Sequence, residues 1–149
     1  MRTLRTVRRG FTLIEILIVV IILGILAAIV IPQFTNASTQ AKQSALDSTV
    51  QTLRSQIALY RLQHGDTLPD LVTNWNPLIT VTAYGNPAQN FGPYMQSTPT
   101  NSLTGGSVVK NGDGSAPVAS CDFIYDYNSG NGSGNIWGTT TFATGAVAP

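Results

Sequence analysis

Gly10-Phe11-Thr12-Leu13-Ile14-Glu15 leads into residues 16–31, which carry no charged or hydrogen-bonding side chain, only Ile, Val, Leu, Ala and the single Gly24. With Phe11, Leu13 and Ile14 the apolar run is roughly 21 residues long, close to the ~20 a helix needs to cross the hydrocarbon core of a bilayer. A secretory leader would have a shorter apolar core ending at an Ala-x-Ala-like cleavage site. Here the run is longer, no such site follows, and helical patterning continues behind it. Glu15 is the exception within the span. A carboxylate inside a membrane helix is costly and reads as functional by default; the plainer alternative is a near-end glutamate that snorkels towards the headgroups.

Working outward, residues 1–10 carry Arg2, Arg5, Arg8 and Arg9 and no acid. Four arginines before a span hold that end in the cytoplasm and send the rest across. The remainder sets Lys42, Arg54, Arg61 and Lys110 against Glu15, Asp47, Asp66, Asp70, Asp113, Asp122 and Asp126. The overall charge of +1 therefore belongs to the basic leader, and the rest of the chain is acidic. No basic patch outside the leader suggests nucleic-acid binding.

The segment Arg8-Arg9-Gly10-Phe11-Thr12-Leu13-Ile14-Glu15, continuing through Gly24 to Pro32, resembles the processing site of type IV pilin-like proteins, that is, type IV pilins and the pseudopilins of type II secretion. The resemblance implies that a membrane-embedded prepilin peptidase cuts after Gly10 and that Phe11 is then N-methylated. It also implies assembly, through Glu15, into a helical filament of identical subunits. An inner-membrane assembly platform, minor pseudopilins and membrane lipid would be the further partners. The expected organisation is a leader at 1–10, a transmembrane and assembly helix at 11–33, an amphipathic continuation at 34–65 and a small pilin-like domain at 66–149. The anchor would lie in the bacterial inner membrane and the domain in the periplasm.

Pro32 cannot donate to the helical ladder and clashes with the carbonyl four residues back, so a kink or a locally melted stretch is expected there. Gly24 costs helix propensity but admits another backbone, the usual value of a small residue in membrane packing. Beyond the proline, Leu46, Val50, Leu53, Ile57 and Tyr60 recur at steps of four, three, four and three. This is an amphipathic helix whose stripe needs a globular partner. Gly65, Asp66 and Pro69 supply its stop. Residues 53–65 resemble the major pseudopilins in particular.

Residues 67–96 read as a Pro- and Asn-rich connection anchored on the helix stripe by Leu68, Leu71, Trp75, Leu78 and Ile79; residues 78–84 read equally as a short strand or a helical turn. Pro99, Asn101, Leu103, Thr104 and Gly105 resemble the Pro-x-Asn-x-Leu-Thr-Gly loop of major pseudopilins, and in themselves read as turn residues. Strands are expected at 107–109, 122–127 and 135–137, joined by turns at 111–114 and 129–134. The fold class is thus α+β, a long N-terminal helix on a small antiparallel sheet.

An enzyme is not indicated: there is no phosphate-binding glycine loop, no paired Cys spacing and no supported Ser-His-Asp set. No cofactor is expected. The resemblance implies calcium in the C-terminal loop of many major pseudopilins. Here Asp113, Asp122 and Asp126 match no dedicated loop, and residues 132–138 lack the family's aspartates. Cys121, the sole cysteine, rules out an internal disulfide and reads as a small buried residue; His64 reads as a helix-terminal imidazole. Three readings follow: a type II secretion pseudopilin, a type IV pilin building a fibre for adhesion, motility or DNA uptake, and a membrane-anchored domain that never assembles. The helix's second half and the Asn101 loop favour the first.

Overall fold

The computed structural model describes residues 10–141 and 145–148. The basic leader with Arg2, Arg5, Arg8 and Arg9 lies outside the described residues. Contacts divide the chain into two compact units, Met1–Ser38 and Thr39–Pro149.

One helix, α1, spans Leu13–Gln63. It continues through Pro32 with helical residues on both sides, so no melted stretch interrupts it. Just after the proline, the Thr35 hydroxyl donates to the Ile31 carbonyl at 3.2 Å. In the first unit every described side chain is exposed, from Phe11 at 84% to Val30 at 41%. Among the described residues α1 is the one helix long and apolar enough to cross a membrane.

In the second unit the sequence pattern changes and so does the burial. Leu46, Val50, Leu53 and Ile57 are buried along one face of α1, and Tyr60 packs against the same cluster half-buried. The helix ends where Gly65 takes φ +61° and the Asp66 N–H returns to the Arg61 carbonyl at 2.8 Å. That closure satisfies a terminal carbonyl and turns the chain back. Leu68, Leu71, Trp75 and Leu78 then fold onto the stripe as its buried partners, with Ile79 partly buried. The ambiguous segment holds both structures in succession, a short helix α2 (Asn76–Ile79) and a strand β1 (Thr82–Tyr84) paired antiparallel with β2 (Gln89–Phe91).

A second sheet contains β3 (Val109–Asn111), β4 (Phe123–Tyr125) and β5 (Ile136–Gly138) in that spatial order. The α+β class stands, with β4 and β5 antiparallel, Ile124 opposite Trp137. β3 instead pairs parallel with β4, Val109 opposite Phe123. The expected turn after β3 does form, with the Asp113 carboxylate accepting the Ser115 N–H at 2.9 Å. The chain then travels back through residues 112–122 before pairing, which is the kind of crossover a parallel pair requires. β4 is buried on both faces: Phe123, Ile124 and Tyr125 are all inaccessible. Trp75 meets Phe123 edge-on at 5.8 Å and donates its indole N–H to the Ser107 carbonyl at 2.8 Å. The tail adds one bridge, Thr139 with Val147.

Candidate assembly and processing site

At the start of α1, Thr12 and Glu15 form a reciprocal cap. The Glu15 carboxylate accepts the Thr12 backbone N–H at 2.8 Å and the Thr12 hydroxyl at 2.7 Å, while the Glu15 N–H donates to the Thr12 hydroxyl oxygen at 3.3 Å. This is a capping box, Thr-x-x-Glu, which satisfies orphan donors at both ends of the first turn. Glu15 is thus partnered by Thr12 at an exposed helix terminus. The Thr-x-x-Glu spacing of Thr12 and Glu15 is the sequence signal for it.

Gly10 and Phe11 precede the cap in an exposed, non-helical segment. An extended, accessible backbone is what a peptidase requires at the bond it cuts. Gly24 sits mid-span with open space where a Cβ would be: nothing lies within 4 Å.

In the second unit the loop after β2 is organised by Asn101, which is fully buried. Its carboxamide donates to the carbonyls of Asp122 and Thr139 at 2.7 and 2.8 Å, and accepts from the N–H groups of Leu103 and Thr104 at 2.8 and 3.3 Å. One side chain thus ties the 99–105 loop to the start of β4 and the end of β5. Reading it as a turn residue understates it. Two arginines missed as structural residues clamp the helix to β5 and to the loop before it. Arg54 donates twice to the Ile136 carbonyl at 3.1 and 3.0 Å, and Arg61 reaches the Ser133 carbonyl at 3.3 Å.

The remaining candidates have structural partners. His64 is buried, stacked on Tyr60 with centroids 3.9 Å apart. Its Nδ1–H faces the Tyr60 carbonyl at 3.0 Å, so in the neutral ring Nε2 accepts the Thr82 hydroxyl at 2.9 Å. Cys121 is buried and donates to the Val118 carbonyl; burial pushes its thiol pKa up, away from the reactive thiolate. Asp113 holds its own turn, Asp122 accepts the Val108 N–H at 2.7 Å, and Asp126 accepts that of Ser133 at 2.8 Å. Among the described residues no three His, Cys, Asp or Glu side chains gather as a metal site.

Residues 5–31 match the family model described as the prokaryotic N-terminal methylation motif. The chain is 32% identical over 112 residues to the type II secretion system core protein G of Pseudomonas aeruginosa, a match covering 60% of this chain and 77% of that protein. This chain belongs to the pilin and pseudopilin superfamily. Other members are similar over different extents. A type IV narrow pilus major component of Thermus thermophilus is 46% identical over 55 residues, which span 37% of this chain and 47% of the relative. A fimbrial protein of Neisseria meningitidis serogroup A is 31% identical over 117 residues, 78% of this chain and 59% of the relative. This pilin-like chain thus spans about half the length of the first of these two and three fifths of the second. No solved structure matches it.

Proposed function

We propose that this pilin-like protein is a structural subunit of a type II secretion pseudopilus, a short periplasmic filament that acts in protein secretion, and that it has no enzymatic role. A prepilin peptidase cuts between Gly10 and Phe11, Phe11 is methylated, and the subunit waits in the inner membrane with its second unit in the periplasm. The observation that carries this reading is a helix whose first half exposes every apolar side chain while its second half is buried on its own domain. In the membrane, lipid covers that first half; in a filament, other copies of the same helix cover it, and the open space at Gly24 suits their approach.

Glu15 supplies register. Cutting after Gly10 frees an ammonium at Phe11, and N-methylation keeps its charge. In a growing filament that amine meets Glu15 of an axially displaced neighbour, and a paired carboxylate recovers much of what desolvation costs it. The carboxylate is meanwhile held by Thr12, so pairing with a neighbour exchanges one set of partners for another.

Secretion is favoured over a surface fibre by the Asn101-centred loop, which resembles that of major pseudopilins, and by the 77% coverage of the Pseudomonas secretion protein. The fibre reading is the second one, favoured by the fimbrial match over 78% of this chain. Deleting the gene in the parent bacterium tests the choice. The pseudopilin reading expects enzymes normally released to the medium to be trapped in the periplasm and surface fibres to be unaffected. Lost fibres with normal secretion would give the pilin reading.

A further inference from the structure

The connection between β4 and β5, residues 126–135, is where the family resemblance implies calcium, and the residues present do not fit one. Asp126 is its only carboxylate, and that carboxylate already accepts the Ser133 N–H at 2.8 Å. A Cβ added at Gly132 would collide with the other Asp126 carboxylate oxygen and with the Asp126 carbonyl, so only glycine fits beside Asp126 there. Several of the loop's carbonyl oxygens already accept amides. The Asp126 carbonyl accepts from Gly134 at 3.0 Å, the Tyr127 carbonyl from Gly130 and Gly132 at 2.8 and 3.0 Å, and the Asn135 carbonyl from Asp126 at 2.9 Å. Calcium asks for six to eight oxygen ligands, carboxylates among them, and here the loop offers one carboxylate, already engaged by the Ser133 N–H.

The positive charge comes from the helix instead. Arg61 places Nη1 3.3 Å from the Ser133 carbonyl while Nε and Nη2 hold Asp66 at 2.9 and 2.6 Å. One planar guanidinium thereby joins the helix terminus, the turn behind it and the β4–β5 loop, a geometry that a fork of donors allows and a point charge does not. Asn111 closes the opposite side, its side-chain oxygen accepting from the Tyr127 and Asn128 N–H groups at 3.1 and 2.9 Å.

We propose that Arg61 and the Asp126–Gly132 contact form a metal-free latch, so that the second unit holds its C-terminal loop without any divalent cation. The inference does not depend on whether the filament serves secretion or a surface fibre.

The test uses the full chain in detergent micelles, with thermal midpoints followed by near-UV circular dichroism and a calorimetric calcium titration of the unmodified protein. The midpoint should be the same in excess EDTA and in millimolar calcium, and the titration should give no saturable heat. Arg61→Gln should lower the midpoint, Arg61→Lys should recover only part of the loss, and Gly132→Ala should lower it with Asp126 intact. A saturable calcium isotherm, with a rise in midpoint abolished by Asp126→Asn, would overturn the proposal. So would an Arg61→Gln protein that melts like the parent. If a variant fails to fold, the calcium titration of the unmodified chain still decides.

Discussion

Glu15 and Thr12 satisfy each other: one carboxylate oxygen takes both the backbone N–H and the hydroxyl of the threonine, at 2.8 and 2.7 Å. A group bound this way is stable in an isolated subunit and still free to change partners, because both contacts sit at an exposed helix terminus. Glu15→Ala is expected to permit insertion and cleavage but to block or weaken assembly, with Glu15→Asp intermediate because its reach is one methylene shorter. Electron microscopy and cross-linking of overexpressed protein, with the mature mass verified, would decide; abundant ordered filaments from the alanine variant would return Glu15 to a merely snorkelling role. Thr12→Val should fray the first turn by about 1 kcal/mol, seen as faster amide exchange at residues 13–16.

Cleavage is expected between Gly10 and Phe11, where the chain is exposed and not yet helical. A bulky residue at Gly10 should leave the precursor uncut. Intact-mass measurement of membrane-extracted protein checks both statements, and a dominant species beginning anywhere but Phe11 would refute the first.

Leu53 is fully buried at the centre of the stripe. Leu53→Ala should cost about 2–5 kcal/mol through lost contact and the cavity left behind. Urea melts of the full chain in micelles would show it; an unmoved midpoint would mean that the stripe serves contacts between subunits instead.

Asn101→Ala removes four hydrogen bonds from a buried position; the Asp122 carbonyl keeps its donors from Thr139, while the Thr139 carbonyl and the Leu103 and Thr104 N–H groups lose the Asn101 side chain. With each unsatisfied buried group costing about 1–3 kcal/mol, the loss should exceed that of any single surface substitution. Asn101→Asp should be no rescue, since a carboxylate cannot donate to the carbonyls of Asp122 and Thr139. Equilibrium melts of the two variants test the pair; a mild effect of either would mean that water fills the gap.

Tyr125 is buried and its hydroxyl has no hydrogen-bond partner among the described residues. Burial, aided by neighbouring Tyr127, pushes its phenol pKa well above the ordinary value of 10.0. The folded protein keeps the neutral phenol, whereas the unfolded chain ionises above pH 10.0, so the stabilisation is complete below that pH and declines as pH rises beyond it. Tyr125→Phe should flatten this alkaline decline. It should also raise stability at neutral pH by about 1 kcal/mol or more, because an unsatisfied hydroxyl is removed. Melts at neutral and alkaline pH measure both effects, and a loss of stability in the phenylalanine variant would show that the hydroxyl has a bonded partner in solution.

The sequence by itself determined the elements whose physics is local. An unbroken apolar run from residue 16 to 31 has to be a helix that faces lipid or other helices, since no other structure satisfies its backbone there. Steps of four and three from Leu46 to Ile57 have to place one face on a core, and the anchors at Leu68, Leu71, Trp75 and Leu78 follow from their being the next apolar bodies along the chain. Continuity through Pro32 was not legible, because a proline removes one hydrogen bond while the turns on either side decide whether the helix survives. The tertiary structure alone decided the rest. Arg54 meets a carbonyl 82 residues away and Arg61 one 72 residues away. Asn101 joins two strands that follow it by 21 and 38 residues, and β3 turns parallel because the chain doubles back before β4. Polar side chains at such positions carry no periodic signature. Their partners are backbone groups that every residue possesses, so only the folded arrangement can say which one is reached.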